Sequence, residues 1–432
     1  MPTEEITDAS PARGLGRPFA NLLTAALASN LGDGIVRTLV PLLAARLTDD
    51  PFLIGLVAAF AMLPWLLFAI PSGIVVDRID RRAALAIAQA VRVLLSVLLF
   101  VLALTSRLDI LWLLGVVFVY GVFETLYDGA SRAIPPSIVP AASLPRANGR
   151  LEAGEQITQQ FLAGPLTSLL FAVSVLIPIG APAVCFLLAG VLALLLPRAA
   201  SGRQHVVADE LRVPWHRQFA DGWRFITRSR MLVTLWIVST IGGLACSFAL
   251  ASWVLYLLGP LGLPEAFFGF AALSGVAGAL VGAALAHRAQ ARFGLGVAMA
   301  AANVLIGLAL LVAGIPNLWV VLAANALLSL AITVWNILVM SLRQSMIPGR
   351  LLGRVHGTWR TLLWGAMPLG SLLGGLVARV DLALPFLIGG AVSVLVAAAS
   401  WRFLTGLPEP EAARAALEAS EAENSAENPR VE

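Results

Sequence analysis

Long apolar runs broken by short polar stretches recur along the whole chain. A helix that crosses a bilayer needs roughly 20 consecutive, mostly apolar residues. Runs of that length fall at Phe19–Leu47, Phe52–Val76, Ala83–Thr105, Ile110–Ala130, Leu144–Val173 and Leu176–Leu196, then at Leu232–Leu257, Glu265–Ala286, Leu295–Ala313, Leu318–Ser341, Leu351–Val377 and Leu384–Leu404. A polar stretch from Pro197 to about Arg230 parts the first six from the last six. Within it, His216–Ser229 has the pattern of an amphipathic helix on a membrane surface, with Phe219, Trp223 and Phe225 facing in. The pattern predicts an all-α integral membrane protein of twelve transmembrane helices in two six-helix bundles. Its expected parts are a tail (1–17), a first bundle (18–196), a linker (197–230), a second bundle (231–404) and a second tail (405–432).

Composition agrees with that pattern. Of 432 residues, 59% are hydrophobic and 12% charged, about half the charged share of an ordinary soluble domain. The formal net charge is +4, and every basic residue is an arginine. With no lysine the chain has neither a Walker A lysine nor a Schiff-base lysine. The arginines sit in short loops without an aromatic-basic platform, so nucleic acid is not an expected partner. Cys185 and Cys246 lie inside apolar runs and read as packing residues. His205, His216, His287 and His356 have no metal-ligand spacing, so no metal or cofactor is expected. Met1 to about Arg17 lacks a basic n-region and a cleavage site, so the first run is expected to remain as a helix.

The arginines also orient the chain. Loops after even-numbered runs carry Arg78, Arg81, Arg82, Arg132, Arg146, Arg198, Arg228, Arg230, Arg288, Arg292 and Arg343, among others. The opposite loops hold little beyond Arg46, Arg107 and Arg379, each near an Asp. The positive-inside rule then puts both termini in the cytoplasm of a cell whose plasma (inner) membrane the chain crosses. The two halves look related: Gly164-Pro165-Leu166-Thr167-Ser168-Leu169-Leu170 in the fifth run resembles Met367-Pro368-Leu369-Gly370-Ser371-Leu372-Leu373 in the eleventh. Such repeats mark transporters that bind substrate between halves near the midplane.

Charges within membrane spans are costly and usually face a cavity or a partner. Asp33 and Arg37 are four apart on the first helix, just after Asn30. They read either as a local ion pair or as a proton-binding carboxylate released when Arg37 swings away. Burial and a nearby arginine act in opposite senses on a carboxylate's proton affinity, which suits loading and unloading. On the fourth helix, Asp128 lies one turn from Arg132, a structural pair, while Glu124 is deeper and has no local partner. Asn148, Glu152, Glu155, Gln156 and Gln159 form a polar stripe on the fifth helix, the pattern of a water-filled path or gate. Proton-coupling candidates are therefore Asp33, Glu124 and Glu155. Arg360, at the equivalent place on the eleventh helix, is expected to join Glu155 and Gln156 in a cytoplasmic gate. Arg92 either snorkels or pairs with Glu124. In the second half, Asn325, Ser329, Thr333 and Asn336 share one face of the tenth helix, with Trp335 and Trp364 nearby. With Asn30, Gln156 and Gln159 they are the cavity-lining candidates; the competing reading is hydrogen bonding between helices. Ser274, Gly278 and Gly282 read as a packing face.

The sharpest motif is Gly73-Ile74-Val75-Val76-Asp77-Arg78-Ile79-Asp80-Arg81-Arg82, where the second helix leaves the membrane. Gly73 lets another helix approach, Asp77 suits the positive N-terminus of a neighbouring helix, and Arg78, Arg81 and Arg82 suit lipid headgroups or carboxylates. The motif resembles the cytoplasmic loop of the major facilitator superfamily. With Glu124–Asp128, Leu144–Leu151, Leu352-Gly353-Arg354-Val355, Arg360, Gly365 and Pro368-Leu369-Gly370, the chain resembles the exporter branch that includes the enterobactin exporter and macrolide efflux proteins. The resemblance implies exchange of protons for an outgoing drug or metabolite by a monomer. The fifth helix departs from that branch, with Ser168 and Leu169 in place of two glycines, which predicts looser packing there.

A membrane-embedded enzyme would need a clustered nucleophile, base or metal set, and the sequence shows none. A channel would not need the paired carboxylates. The expected function is secondary active transport, proton-coupled efflux of an amphipathic compound; alternatives on the same fold are a siderophore exporter and a lysolipid flippase. The scarcity of charge inside the second half predicts an apolar or weakly polar substrate.

Overall fold

A computed structural model describes residues 15–201, 215–412 and 414–415. The two expected tails fall largely outside the described residues, as does much of the linker. The membrane helices are α1 (Gly16–Leu47), α2 (Pro51–Arg78), α3 (Arg81–Leu104), α4 (Ile110–Ala133), α5 (from Leu144–Glu155 through a π-helical stretch, Gln156–Leu162, to Ala163–Val173) and α6 (Leu176–Leu194). They continue as α7 (Arg230–Leu250, extended by Trp253–Leu258), α8 (Phe268–Phe293), α9 (Leu295–Ala313), α10 (Leu318–Met346), α11 (Gly349–Ala378) and α12 (Leu384–Thr405). Ten of these are continuous and apolar enough to cross a bilayer by composition alone. The other two are α1, which carries Asp33, Arg37 and Arg46, and α5, which its π-helical turn divides.

Side-chain caps set several starts. Asp50, Asp80, Asp109, Ser229 and Asn317 accept backbone N–H bonds from the first turns of α2, α3, α4, α7 and α10, which satisfies donors that lipid would leave unpaired. Leu94, Leu111, Val184 and Leu395 are among the large apolar side chains left exposed, which hydrocarbon makes tolerable. Exposed Trp112 and Trp319 sit at one end of the bundle and Trp223 and Trp401 at the other, where amphipathic rings suit the headgroup levels.

The packing repeats between halves. In the first, α1 contacts α5 and α6, α2 contacts α4, and α3 contacts α4 and α6; in the second, α7 contacts α11 and α12, α8 contacts α10, and α9 contacts α10 and α12. The halves meet through α2 with α11 and α5 with α8, two crossings exchanged by the same repeat. Both are close. A Cβ on Gly375 of α11 would stand 2.7 Å from the Pro51 carbonyl, and one on Gly164 of α5 3.0 Å from the Gly269 carbonyl. The looser packing predicted for α5 is not found: Ser168 accepts the Gly269 N–H at 2.6 Å, so its hydroxyl bonds the facing backbone that a glycine would merely admit. Gly278 and Gly282 pack on Ala326 and Leu330 of α10.

The linker helix, Trp215–Arg228, lies on α11. Among its described residues Gly222 and Ile226 are buried, and Arg354 bonds Asp221 at 3.2 Å. Phe219 and Phe225 are half-buried, and Trp223 is exposed and meets Trp236 edge-on.

In the loop motif, Arg81 donates to the Ala133 carbonyl at 2.7 Å and Arg82 to that of Leu196 at 3.0 Å, while Arg82 also pairs with Asp80 at 3.2 Å. The arginines thus cover carbonyls left open at the ends of α4 and α6, and Arg78 is exposed. Gly73 does not serve close helix approach, since a Cβ there would meet nothing within 4 Å. The Asp77 side chain lies outside the described residues.

Candidate functional site

Four helices of the first half converge on Asp33. A Cβ on Gly34 would stand 2.6 Å from the Gln159 carbonyl, so α1 lies backbone to backbone on the wide turn of α5. Gly32 leaves room for the Phe186 ring of α6. In the space so shaped, Arg92 of α3 is fully buried and donates to Asp33 Oδ1 at 2.5 Å and to Ser29 Oγ at 3.2 Å. Tyr120 of α4 donates a short hydrogen bond to the same Oδ1. The guanidinium lies over the rings of Tyr120, Phe186 and Tyr127 at 4.8, 4.8 and 5.2 Å. Gln89 donates to Ser29 at 2.8 Å. The charges are thus paired, and the rings compensate part of the lost hydration of Arg92.

This corrects the expected local pair. Arg37 does not bond Asp33; it reaches Glu124 of α4 at 3.2 Å, so Glu124 has the partner its own helix lacks. Asp128 and Arg132 do pair, at 3.2 Å, and Arg132 also lies 3.7 Å from Glu155. Glu155 is therefore held within its own half, and the expected bond to Arg360 is absent. Arg360 stacks on Trp364 at 4.3 Å and on Trp65 of α2 at 5.3 Å. Glu152 accepts from Gln156 at 3.2 Å.

A cavity of about 990 Å³ separates the halves. The first half contributes Arg37, Trp65, Ser96, Tyr120 and Glu124, and the second Asn303, Trp335, Asn336 and Trp359 with three basic side chains, Arg343, His356 and Arg360. Of the expected lining residues, Trp335 and Asn336 are in the wall. Among the described residues Asn30, Gln156 and Gln159 are not, because the polar face of α5 turns to Arg132 and to α1. Asn325 and Ser329 pack against α8, with Asn325 donating to Ser274 at 2.9 Å. The α10 face reaches the cavity only at Asn336. Nothing in the sequence pattern marks Tyr120 or Asn303, while Arg343 reads there as an orienting arginine and His356 as a histidine without a metal-ligand partner. Tyr120, one turn before Glu124, was the most accessible of them to sequence reasoning.

One end of the cavity is latched. Arg46 bonds Glu265 through two contacts, at 2.6 and 3.1 Å, and stacks on Phe171. Arg379 bonds Asp50 likewise, at 2.6 and 2.8 Å, and stacks on Phe52. Among the described residues these are the ion pairs that join the halves, and both lie at the arginine-poor end. The Arg379 hydrogen bonds hold the Asp50 carboxyl below its ordinary 3.8, and the Phe52 N–H acts in the same sense. A carboxylate depressed only while latched stabilises the latch above its ordinary value and loses that contribution as pH falls through the lowered one. In a Cys185→Ser background, the rate at which an impermeant maleimide added at the latched end labels cavity-lining Cys246, divided by the rate for the same protein in denaturant at the same pH because only the thiolate reacts, is expected to stay flat from neutral pH to about pH 5. Asp50→Asn should raise it throughout that range. A wild-type rise near neutrality would reject this account of the latch.

No curated protein matches the chain by sequence. Solved structures show where the fold occurs elsewhere. A mutant of the nucleoside transporter NupG superposes with a TM-score of 0.73 at 16% identity, over 90% of this chain and 100% of that one. A bacterial homologue of the iron transporter ferroportin, in an inward-facing state, gives 0.70 at 17% identity over 91% and 100%. A bacterial homologue of the human lysosomal transporter Spinster, inward-facing and unoccupied, gives 0.66 at 13% over 92% and 98%. The model of the transmembrane secretion effector family matches residues 10–431. With this match over nearly the whole chain and these neighbours, the protein belongs to the transmembrane secretion effector family and is a membrane transporter of the major facilitator type.

Proposed function

We propose that the protein exports an amphipathic drug or small metabolite by proton-coupled alternating access. The observation that carries this reading is the buried Asp33–Arg92–Tyr120 group, which joins the cavity wall through Tyr120. An ionisable pair buried in a membrane is costly and is kept where it serves transport. Taking up a proton on Asp33 would free Arg92 from its partner, and the neighbouring Arg37–Glu124 pair offers the next site along α4. The arginine bias between loops supports cytoplasmic termini in an inner membrane. The latched end then faces outward and the cavity serves the cytoplasm. The family's description as secretion effectors supports export.

The test is transport in proteoliposomes with and without an outward-directed proton gradient (interior acidic), so that protons leave as dye enters, using ethidium and fluorescein as cationic and anionic amphiphiles. Wild type is expected to accumulate at least one dye only with the gradient. Asp33→Asn/Arg92→Met, which removes both charges together, should lose the gradient dependence while remaining folded. Wild-type accumulation indifferent to the gradient, or a double variant still driven by it, would overturn the proton-coupled reading.

A further inference from the structure

The cavity is electrostatically lopsided. In the first half each charge at or beside the wall has a partner: Arg37 with Glu124, and Arg92 with Asp33. In the second half Arg343, His356 and Arg360 have none of opposite sign among the described residues. Arg343 of α10 is 5% exposed. Its guanidinium lies 4.1 Å over the Trp359 ring and 3.2 Å from His356 Nδ1, which must accept because an arginine only donates. Its Nε has no partner among the described residues. Among the described residues Arg360 has only the Trp364 and Trp65 rings as partners, and Asp128, an acid whose charge reaches it, is committed to Arg132. His356, Arg360 and Trp364 recur every four residues, so one face of α11 presents two basic groups and a ring together.

An unpaired, desolvated guanidinium in a membrane protein is expensive, and ring contacts offset only part of that cost. Arg343 is too buried to be a residue that reaches out to headgroups. We infer that Arg343 and Arg360 form the anion subsite of the cavity. The inferred substrate is an organic anion whose carboxylate, sulfonate or phosphate meets these guanidiniums and whose aromatic or apolar body lies among Trp65, Trp335, Trp359 and Trp364. A guanidinium binds such oxyanions through paired hydrogen bonds, and the remaining wall is apolar, as expected of a site that orients a ligand by few polar groups. The inference rests on the reading of this cavity as the substrate site. It replaces the apolar or weakly polar substrate expected from sequence, and it places the anion's charge in the half opposite the proposed proton site.

Equilibrium binding tests it without transport. Fluorescence anisotropy of fluorescein and of ethidium would be measured against the detergent-solubilised protein with no gradient present. Wild type should bind fluorescein at least about tenfold more tightly than ethidium. Arg360→Gln, at the more exposed of the two positions, should lose about tenfold in fluorescein affinity, Arg360→Lys should recover part of it, and Arg360→Glu should reverse the preference between dyes. Arg343→Gln should also lose fluorescein affinity, with thermal unfolding measured alongside because the residue is buried. Tighter ethidium binding, no binding of fluorescein, or a folded Arg360→Glu with unchanged preference would each overturn the anion subsite. None of those outcomes touches the gradient dependence on which the proposed transport function stands. A lysophospholipid competing with fluorescein, where benzoate and phosphate do not, would reject a small aromatic acid and assign the anion to a lipid headgroup.

Discussion

Asp33→Asn is expected to lower the stability of the folded protein by about 3 kcal/mol, near the lower end of what breaking a buried ion pair costs. The substitution leaves Arg92 charged with no carboxylate, at 0% exposure. The three surrounding rings and Ser29 keep the loss from being larger. Arg92→Met alone should cost less, because an aspartate left alone can take up a proton and become neutral whereas an arginine cannot. The double variant should regain most of the wild-type stability. The order expected in thermal unfolding is therefore wild type, double variant, Arg92→Met, Asp33→Asn. If Asp33→Asn melts like wild type, the pair does not carry the electrostatic load assigned to it.

The second large effect separates two kinds of helix crossing. A Cβ on Gly278 would run into the Ala326 carbonyl, and one on Gly269 into that of Gly164. Each added methyl forces backbones apart at a cost of about 1–3 kcal/mol. The crossing of α8 with α10 lies inside one half, so Gly278→Ala has no alternative packing and should lose that stability in unfolding. The crossing of α8 with α5 lies between halves, so Gly269→Ala can relieve the contact by opening the latched end. It should melt nearly normally and raise Cys246 labelling from that end about tenfold. Equal melting losses without a labelling difference would show that the halves do not separate at that crossing.

The fold was legible because hydrocarbon imposes a simple pattern, and each of the twelve helices overlaps an apolar run. The ion pairs of the site were legible only where partners share a helix. Asp128 and Arg132 could be paired from spacing alone. Asp33 could not be, because its partner Arg92 comes from another helix and outcompetes Arg37, which turns to Glu124. Arg343 was hidden by its position at the end of an apolar run, where an arginine ordinarily orients the chain in the membrane; only the fold shows it turned inward over Trp359. Likewise, the shared face of Asn325, Ser329 and Asn336 was visible, but not that α8 covers most of it.

Asp50 Oδ1 accepts both the Arg379 Nε–H and the Phe52 N–H, so one oxygen serves the bridge between halves and the first turn of α2. When Arg379 withdraws, that oxygen is left with a helix donor already in place and does not face water empty-handed. The released state thus recovers some of what the broken bridge had supplied. A fastening built this way is firm while made yet leaves no deep well to climb out of, which suits a carrier whose halves must part and rejoin in every cycle.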